Sequence, residues 1–156
     1  MADSARFVLQ GGPVAREAAG GAFGVPMPEA ACRANTGGGR AALWLGPDER
    51  LLLAPEGTQA GVAAALAAAL AGIPHSLVDV SERQVAIRVD GPAARDLLAT
   101  GCPLDLDPEA FPVGACTRTL FAKAEALLWR RAAEEYHLEV GRSFAEYVRG
   151  CLRSAQ

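Results

Sequence analysis

The side chains able to carry acid–base, nucleophilic or metal chemistry are few and scattered. Two histidines, His75 and His137, and four cysteines, Cys32, Cys102, Cys116 and Cys151, are spread over 156 residues. A catalytic triad needs a base that is oriented by a carboxylate and set beside a nucleophile. His75 follows Pro74 in a connection, His137 falls on the outer face of a strand, and no serine, Ser81 included, sits in a G-x-S-x-G elbow. His75, Asp79 and Glu82 lie across a strand and a turn, without the i, i+4 spacing that aims two ligands at one metal. Asp105, Asp107 and Glu109 suggest calcium, but Pro108 intrudes and the glycine of a calcium loop is missing, so a solvated loop fits better. The cysteines form no C-x-x-C pair and no zinc ribbon. No catalytic, cofactor-binding or metal-binding residue is assigned.

Phosphate chemistry would need a cradle of backbone N–H groups at a helix start. "DVSERQVAIRVDGPAARDLL" (Asp79 to Leu98) has the strand, turn and helix for it. It has one glycine where a dinucleotide fold needs several, and Pro92 lacks one of the N–H groups required. The stretch reads as a rigid junction, hence scaffold. "GGGR" (Gly37 to Arg40) lacks the surrounding pattern of a phosphate loop and reads as a plain turn.

The elements that would position any site are legible from Ala42 onward. "ALWLGPDERLLLAPEG" is two apolar runs around Gly46-Pro47-Asp48-Glu49, a hairpin. A helix follows with Thr58 as its cap, Val62, Leu66 and Leu70 on one face, and Gly72 and Pro74 as its stop. Ser76–Val80 and Arg83–Val89 read as strands, the second with Val85, Ile87 and Val89 on its buried face. Pro92 is placed at the first position of a helix that runs to Ala99 and buries Ala94, Leu97 and Leu98. A connection with three prolines, Cys102 to Ala115, leads to strands at 117–123, 126–131 and 134–140. The last strand puts Tyr136, Leu138 and Val140 on one face and His137 and Glu139 on the other. Arg130, Arg131, Glu134 and Glu135 read as a charged hairpin tip. Ser143 and Glu146 form a capping box that opens a final helix, with Tyr147, Val148, Cys151 and Leu152 as its buried stripe. The strand–turn–strand–helix unit at Ala42 recurs about 84 residues later, with Trp44 and Trp129 in similar positions, which suggests two related α+β halves.

Residues 1–40 show no sustained period. Gly11 to Ala30 is rich in Gly, Ala and Pro, and Pro26 and Pro28 bar a helix there. The segment is read as an extended N-terminal arm that lays Phe23, Val25 and Met27 on another surface, or as a loose tail. Residues 41–156 are read as a single α+β domain.

Half of the chain is apolar and its net charge is -3, which excludes a disordered chain and, without a basic stripe, disfavours nucleic acid. The longest uncharged run, Thr58 to Pro74, is too short to cross a membrane. No signal-peptide pattern opens the sequence, so a reducing, cytoplasmic setting and free thiols are expected.

"LGPDERLLLAPEG", the stretch from Leu77 to Arg131 and "YHLEVGRSFAEYVRGCL" together resemble the gamma subunit of heterotetrameric sarcosine oxidase, over roughly Ala42 to the C terminus. Similar subunits occur in N-methylglutamate dehydrogenase. Arg50 departs from the pattern, which has tryptophan there, and puts the local packing or partner contact in question. The resemblance implies a ferredoxin-like antiparallel sheet with helices on one face, similar to the folate-binding portion of the glycine-cleavage T-protein. It implies alpha, beta and delta partner subunits. FAD, FMN and NAD are expected in the large subunits and zinc in the delta subunit, with none in this chain. The complex would convert sarcosine to glycine, hydrogen peroxide and methylenetetrahydrofolate, with this chain a non-catalytic, stabilising subunit. The alternative is a small folate- or methylamine-binding protein acting alone.

Overall fold

The computed structural model describes residues 4–155. The chain forms two compact units, one ending at Ser81 and the next beginning at Glu82. No helix among the described residues is long and apolar enough to cross a membrane.

The first unit contains β1 (Ala5–Gly11), α1 (Pro13–Phe23), β2 (Ala34–Gly37), β3 (Arg40–Gly46), β4 (Glu49–Ala54), α2 (Gln59–Ala69) and β5 (His75–Asp79). Its sheet runs β2-β3-β4-β1-β5, with every pairing antiparallel. Phe7, Leu9 and Leu52 meet Ala19 and Phe23 from α1 and Leu66 from α2 in one core. Alternation along the strands and i, i+4 spacing along the helices put these side chains on facing surfaces. Gly38 and Gly39 both adopt positive φ, which joins β2 to β3 by a two-residue turn; "GGGR" is thus a plain hairpin turn.

This arrangement corrects the reading of residues 1–40 as an arm. Ala5–Gly11 is a central strand and Pro13–Phe23 an eleven-residue helix. Phe23, Val25 and Met27 are buried in their own unit rather than offered to a partner. The helix was hidden because its buried face is mostly alanine and glycine: Ala15, Ala19 and Phe23 recur at four-residue intervals with little hydrophobic contrast. Pro13 at its start and Gly24 in the left-handed conformation after its end are the signals that mark it.

The second unit contains β6 (Gln84–Asp90), α3 (Ala94–Ala99), β7 (Cys116–Phe121), β8 (Ala124–Ala132), β9 (Glu135–Gly141), a 3₁₀ turn at Arg142–Phe144 and α4 (Ala145–Ser154). Its sheet runs β6-β9-β8-β7. Val85, Ile87, Leu128, Leu138 and Val140 form a core with Leu98 of α3 and Val148 of α4. Residues 41–156 are therefore not one domain: the predicted neighbours Ser76–Val80 and Arg83–Val89 are strands of different sheets.

Three local expectations change. Thr58 makes no capping bond to α2; its hydroxyl donates to the Pro55 carbonyl at 2.6 Å. Pro92 precedes α3, whose N-cap is Ala93. The Ser143–Glu146 capping box does not form, because the 3₁₀ turn occupies Ser143 and the Glu146 carboxylate takes a bond from Arg149 at 2.7 Å. Of the expected stripe on α4, Val148 and Leu152 are buried, Cys151 is half-buried and Tyr147 is exposed.

Candidate functional site

His75 is exposed in β5, with its Nδ1 2.7 Å from the Ile73 carbonyl. His137 faces away from the core as its alternation requires, but it is buried. Its Nε2 lies 2.6 Å from Oε1 of Glu139, also buried, and its ring tilts against Trp129 at 5.6 Å. The pair is a base beside a carboxylate, yet the imidazole offers almost no surface to a dissolved substrate. Cys102 Sγ is 3.7 Å from Thr119 Oγ1, and among the described residues no histidine is paired with it. The four cysteines remain thiols.

Three of the acidic residues weighed as metal ligands, Asp79, Asp105 and Asp107, act on their own backbone instead. Asp79 accepts the Ser81 N–H at 2.9 Å. Asp105 accepts the Asp107 N–H at 2.9 Å, and Asp107 that of Glu109 at 3.0 Å. These are turns closed by a carboxylate. Among the described residues no three His, Cys, Asp or Glu side chains converge. This donor set does not fit zinc.

The strand-to-helix junction is also committed to scaffold. The Gly91 N–H donates to the Glu134 carbonyl at 3.0 Å, and Gly91 in turn accepts from Ala94 at 3.0 Å. α3 has only six residues.

Two constellations escaped the sequence reading. In the first, Arg16 of α1 binds Glu29 through two nitrogens at 3.0 and 3.1 Å and reaches Asp48 at 3.2 Å. Arg50 of β4 is fully buried beneath them; it donates from Nε to the Pro28 carbonyl at 2.7 Å and from Nη1 to Gly46 at 2.6 Å. The hydrogen bond from Arg16 holds the Glu29 carboxyl below its ordinary pKa, and the same bond raises that of Arg16. Burial, and then the Arg16 cation, lower the pKa of Arg50. Where the resemblance leads one to expect tryptophan, Arg50 thus ties down the loop between α1 and β2. Its guanidinium also lies 6.0 Å from the centre of the Trp44 ring. The partners span sequence separations of up to 32 residues, so no local pattern announces them.

The second is an open concavity of about 910 Å³ in the second unit. Glu139 and Leu127 border it, and Arg83, Arg118, Lys123 and Arg142 line it. Glu125, Leu120 and Phe144 line it as well. Arg142 bonds the Glu82 carbonyl at 2.8 Å and its carboxylate at 3.4 Å. The charged tip read at Arg130–Glu135 is partly an internal feature. Arg131 pairs with Glu135 at 3.1 Å, but Arg130 is buried and donates to the carbonyls of Phe111 and Ala133 at 2.8 and 2.7 Å.

Known proteins place this fold. Residues 11–156 match the family described as sarcosine oxidase, gamma subunit family. Sarcosine oxidase subunit gamma from Arthrobacter sp is 37% identical over 88% of the chain, and that from Corynebacterium sp. (strain P-1) 41% identical over 70%. The chain spans 67% and 53% of the lengths of these two relatives. Among solved structures, a chain of the heterotetrameric sarcosine oxidase from Corynebacterium sp. U-96 is 32% identical with a TM-score of 0.93, covering 99% of this chain and 80% of its own. Aminomethyltransferase T of the glycine cleavage system from Bartonella henselae shares the fold at a TM-score of 0.64 and 17% identity, over 94% of this chain and 43% of its own. On its sequence and on its paired antiparallel sheets, the chain belongs to the sarcosine oxidase gamma subunit family.

Proposed function

We propose that the chain serves as the gamma-type subunit of a heterotetrameric sarcosine oxidase-like complex and stabilises the assembly of the larger subunits without a catalytic residue of its own. The observation that carries this reading is the agreement in fold with a chain of such a complex at a TM-score of 0.93 over 99% of the residues. The side-chain chemistry of the chain is consistent with it. The best acid–base pair, His137 and Glu139, is buried, and Arg16, Arg50 and Arg130 hold loops and turns. In this reading alpha, beta and delta subunits carry FAD, FMN, NAD and zinc. The assembled complex, working in the cytoplasm, oxidises sarcosine or a related N-methyl amino acid to glycine, hydrogen peroxide and methylenetetrahydrofolate.

The test is co-expression of all four subunits from the same genome, with and without this chain. Co-elution of the chain with the others, and a lower yield of assembled alpha and beta subunits when it is omitted, is the expected result. Full recovery of an active complex without it, with the chain eluting alone, would overturn the reading.

A further inference from the structure

We propose that the concavity on the outer face of the second sheet is the docking site for an acidic segment of a partner subunit, anchored by an apolar side chain. This rests on the subunit reading above. Strand alternation sets the site apart from the core. Residues on one face, such as Val85, Leu128, Leu138 and Val140, close over Leu98 of α3 and Val148 of α4. The register then places Gln84, Glu139, Leu127, Arg118, Glu125 and Leu120 on the other face, across all four strands. These six all border the concavity.

Its charge opposes that of the rest of the chain. The whole protein carries -3, yet four cations and two carboxylates line this concavity, one of the cations, Arg142, being paired with Glu82. Of the two carboxylates Glu139 is buried, and Glu125 is exposed. Arg83 and Lys123 are exposed and make no ion pair among the described residues. An excess of cations on a concave surface attracts a ligand of negative charge.

Two further features choose a protein segment as the occupant. Leu120 and Phe144, which also line the concavity, are 46% and 48% exposed, and apolar surface beside charge suits a side-chain anchor within a polar rim. An acidic chain disfavours the extended polyphosphate of a nucleic acid.

The purified assembly of alpha, beta and delta subunits is the probe, presented to the immobilised chain in a range of salt concentrations. Wild type should bind, more weakly as salt rises. Arg83→Glu combined with Lys123→Glu, at two exposed positions, should weaken binding by about tenfold or more and flatten the salt dependence, as reversed rim charges do. Arg83→Gln with Lys123→Gln should fall between the two, and Leu120→Ser should weaken binding without altering the salt slope. Circular dichroism confirms that each variant is folded. Equal binding of wild type and the charge-reversed variant, with the same salt slope, would overturn the docking site while leaving the subunit reading intact. Failure of wild type to bind at all would overturn both.

Discussion

In each unit a hairpin lies beside the unit's opening strand, and β2-β3-β4-β1 in the first corresponds to β7-β8-β9-β6 in the second. The ladders agree to the residue. Trp44 pairs with Arg50 just before an irregularity at Trp44/Gly46, and Arg130 pairs with Tyr136 just before one at Arg130/Ala132. Trp44 therefore corresponds to Arg130, not to Trp129 as the sequence suggests. The exchange is instructive, since a cation and a ring have traded strands. Arg50 of β4 faces the ring of Trp44 in β3, whereas Arg130 of β8 faces the ring of Tyr136 in β9 at 5.5 Å. Both arginines then donate to the connection that follows the first helix of their unit, at Pro28 and at Phe111. The fold preserves a guanidinium held by backbone carbonyls at that corner and is indifferent to which strand supplies it. Carbonyl acceptors satisfy most of the donors without a second buried charge, with Arg130 Nε left over among the described residues.

The units differ at one edge. β1 lies between β4 and β5, and its core residues Ala5, Phe7 and Leu9 are 0%, 2% and 0% exposed. β6 borders only β9, and its counterparts Val85, Ile87 and Val89 are 6%, 9% and 6% exposed.

The correspondence is broken most severely at the central strands. Leu52 and Leu138 sit at matching positions in β4 and β9, both essentially buried. Leu→Ala at either site should cost about 2–5 kcal/mol, by lost burial and the cavity left behind. Urea unfolding followed by tryptophan fluorescence should show similar losses; a cost confined to one unit would argue against equivalent cores. Next come the two arginines. Arg50→Ala and Arg130→Ala should each cost about 2–3 kcal/mol, because buried carbonyls lose charged donors. A cost under about 0.5 kcal/mol at Arg130 alone would show that the corner matters only in the first unit.

Acid should act on the first unit by way of Glu29. Its pKa lies below the ordinary carboxylate value in the folded state because Arg16 binds the ionised form. That contribution is complete above the ordinary value and is lost as pH falls through it towards the lower folded value. Glu29→Gln should therefore melt earlier than wild type at neutral pH and converge with it in acid. A constant difference across thermal scans would remove the ion pair from the account. The smallest effects are expected at Tyr136→Phe and Ser143→Ala, both within about 0.5 kcal/mol. The Tyr136 hydroxyl is buried without a partner among the described residues, and the Ser143 cap is not formed.

These two small effects mark where sequence reasoning stops. Period-two and four-residue spacings made β6, β9 and α2 legible because each carries large apolar side chains on one face, and apolar runs on either side of a turn marked β3 and β4. α1 was missed because alanine and glycine give almost no contrast, although they pack as closely as leucines would. The capping box failed because Ser–x–x–Glu is a local signal and the chain enters α4 through a 3₁₀ turn that uses the same residues. The corner arginines and the cationic concavity join residues from distant segments, and only the register of the sheets brings them together.

The claim that this chain supports the complex without taking part in its chemistry turns on the buried imidazole. His137→Gln keeps a hydrogen-bonding side chain of similar size beside Glu139. The decisive measurement is kcat for sarcosine in the four-subunit complex rebuilt with this variant, after size exclusion has shown that the assembly is intact. The account predicts a kcat within about threefold of wild type. A fall of about a hundredfold or more in an intact complex, the scale of a lost general acid or base, would contradict it.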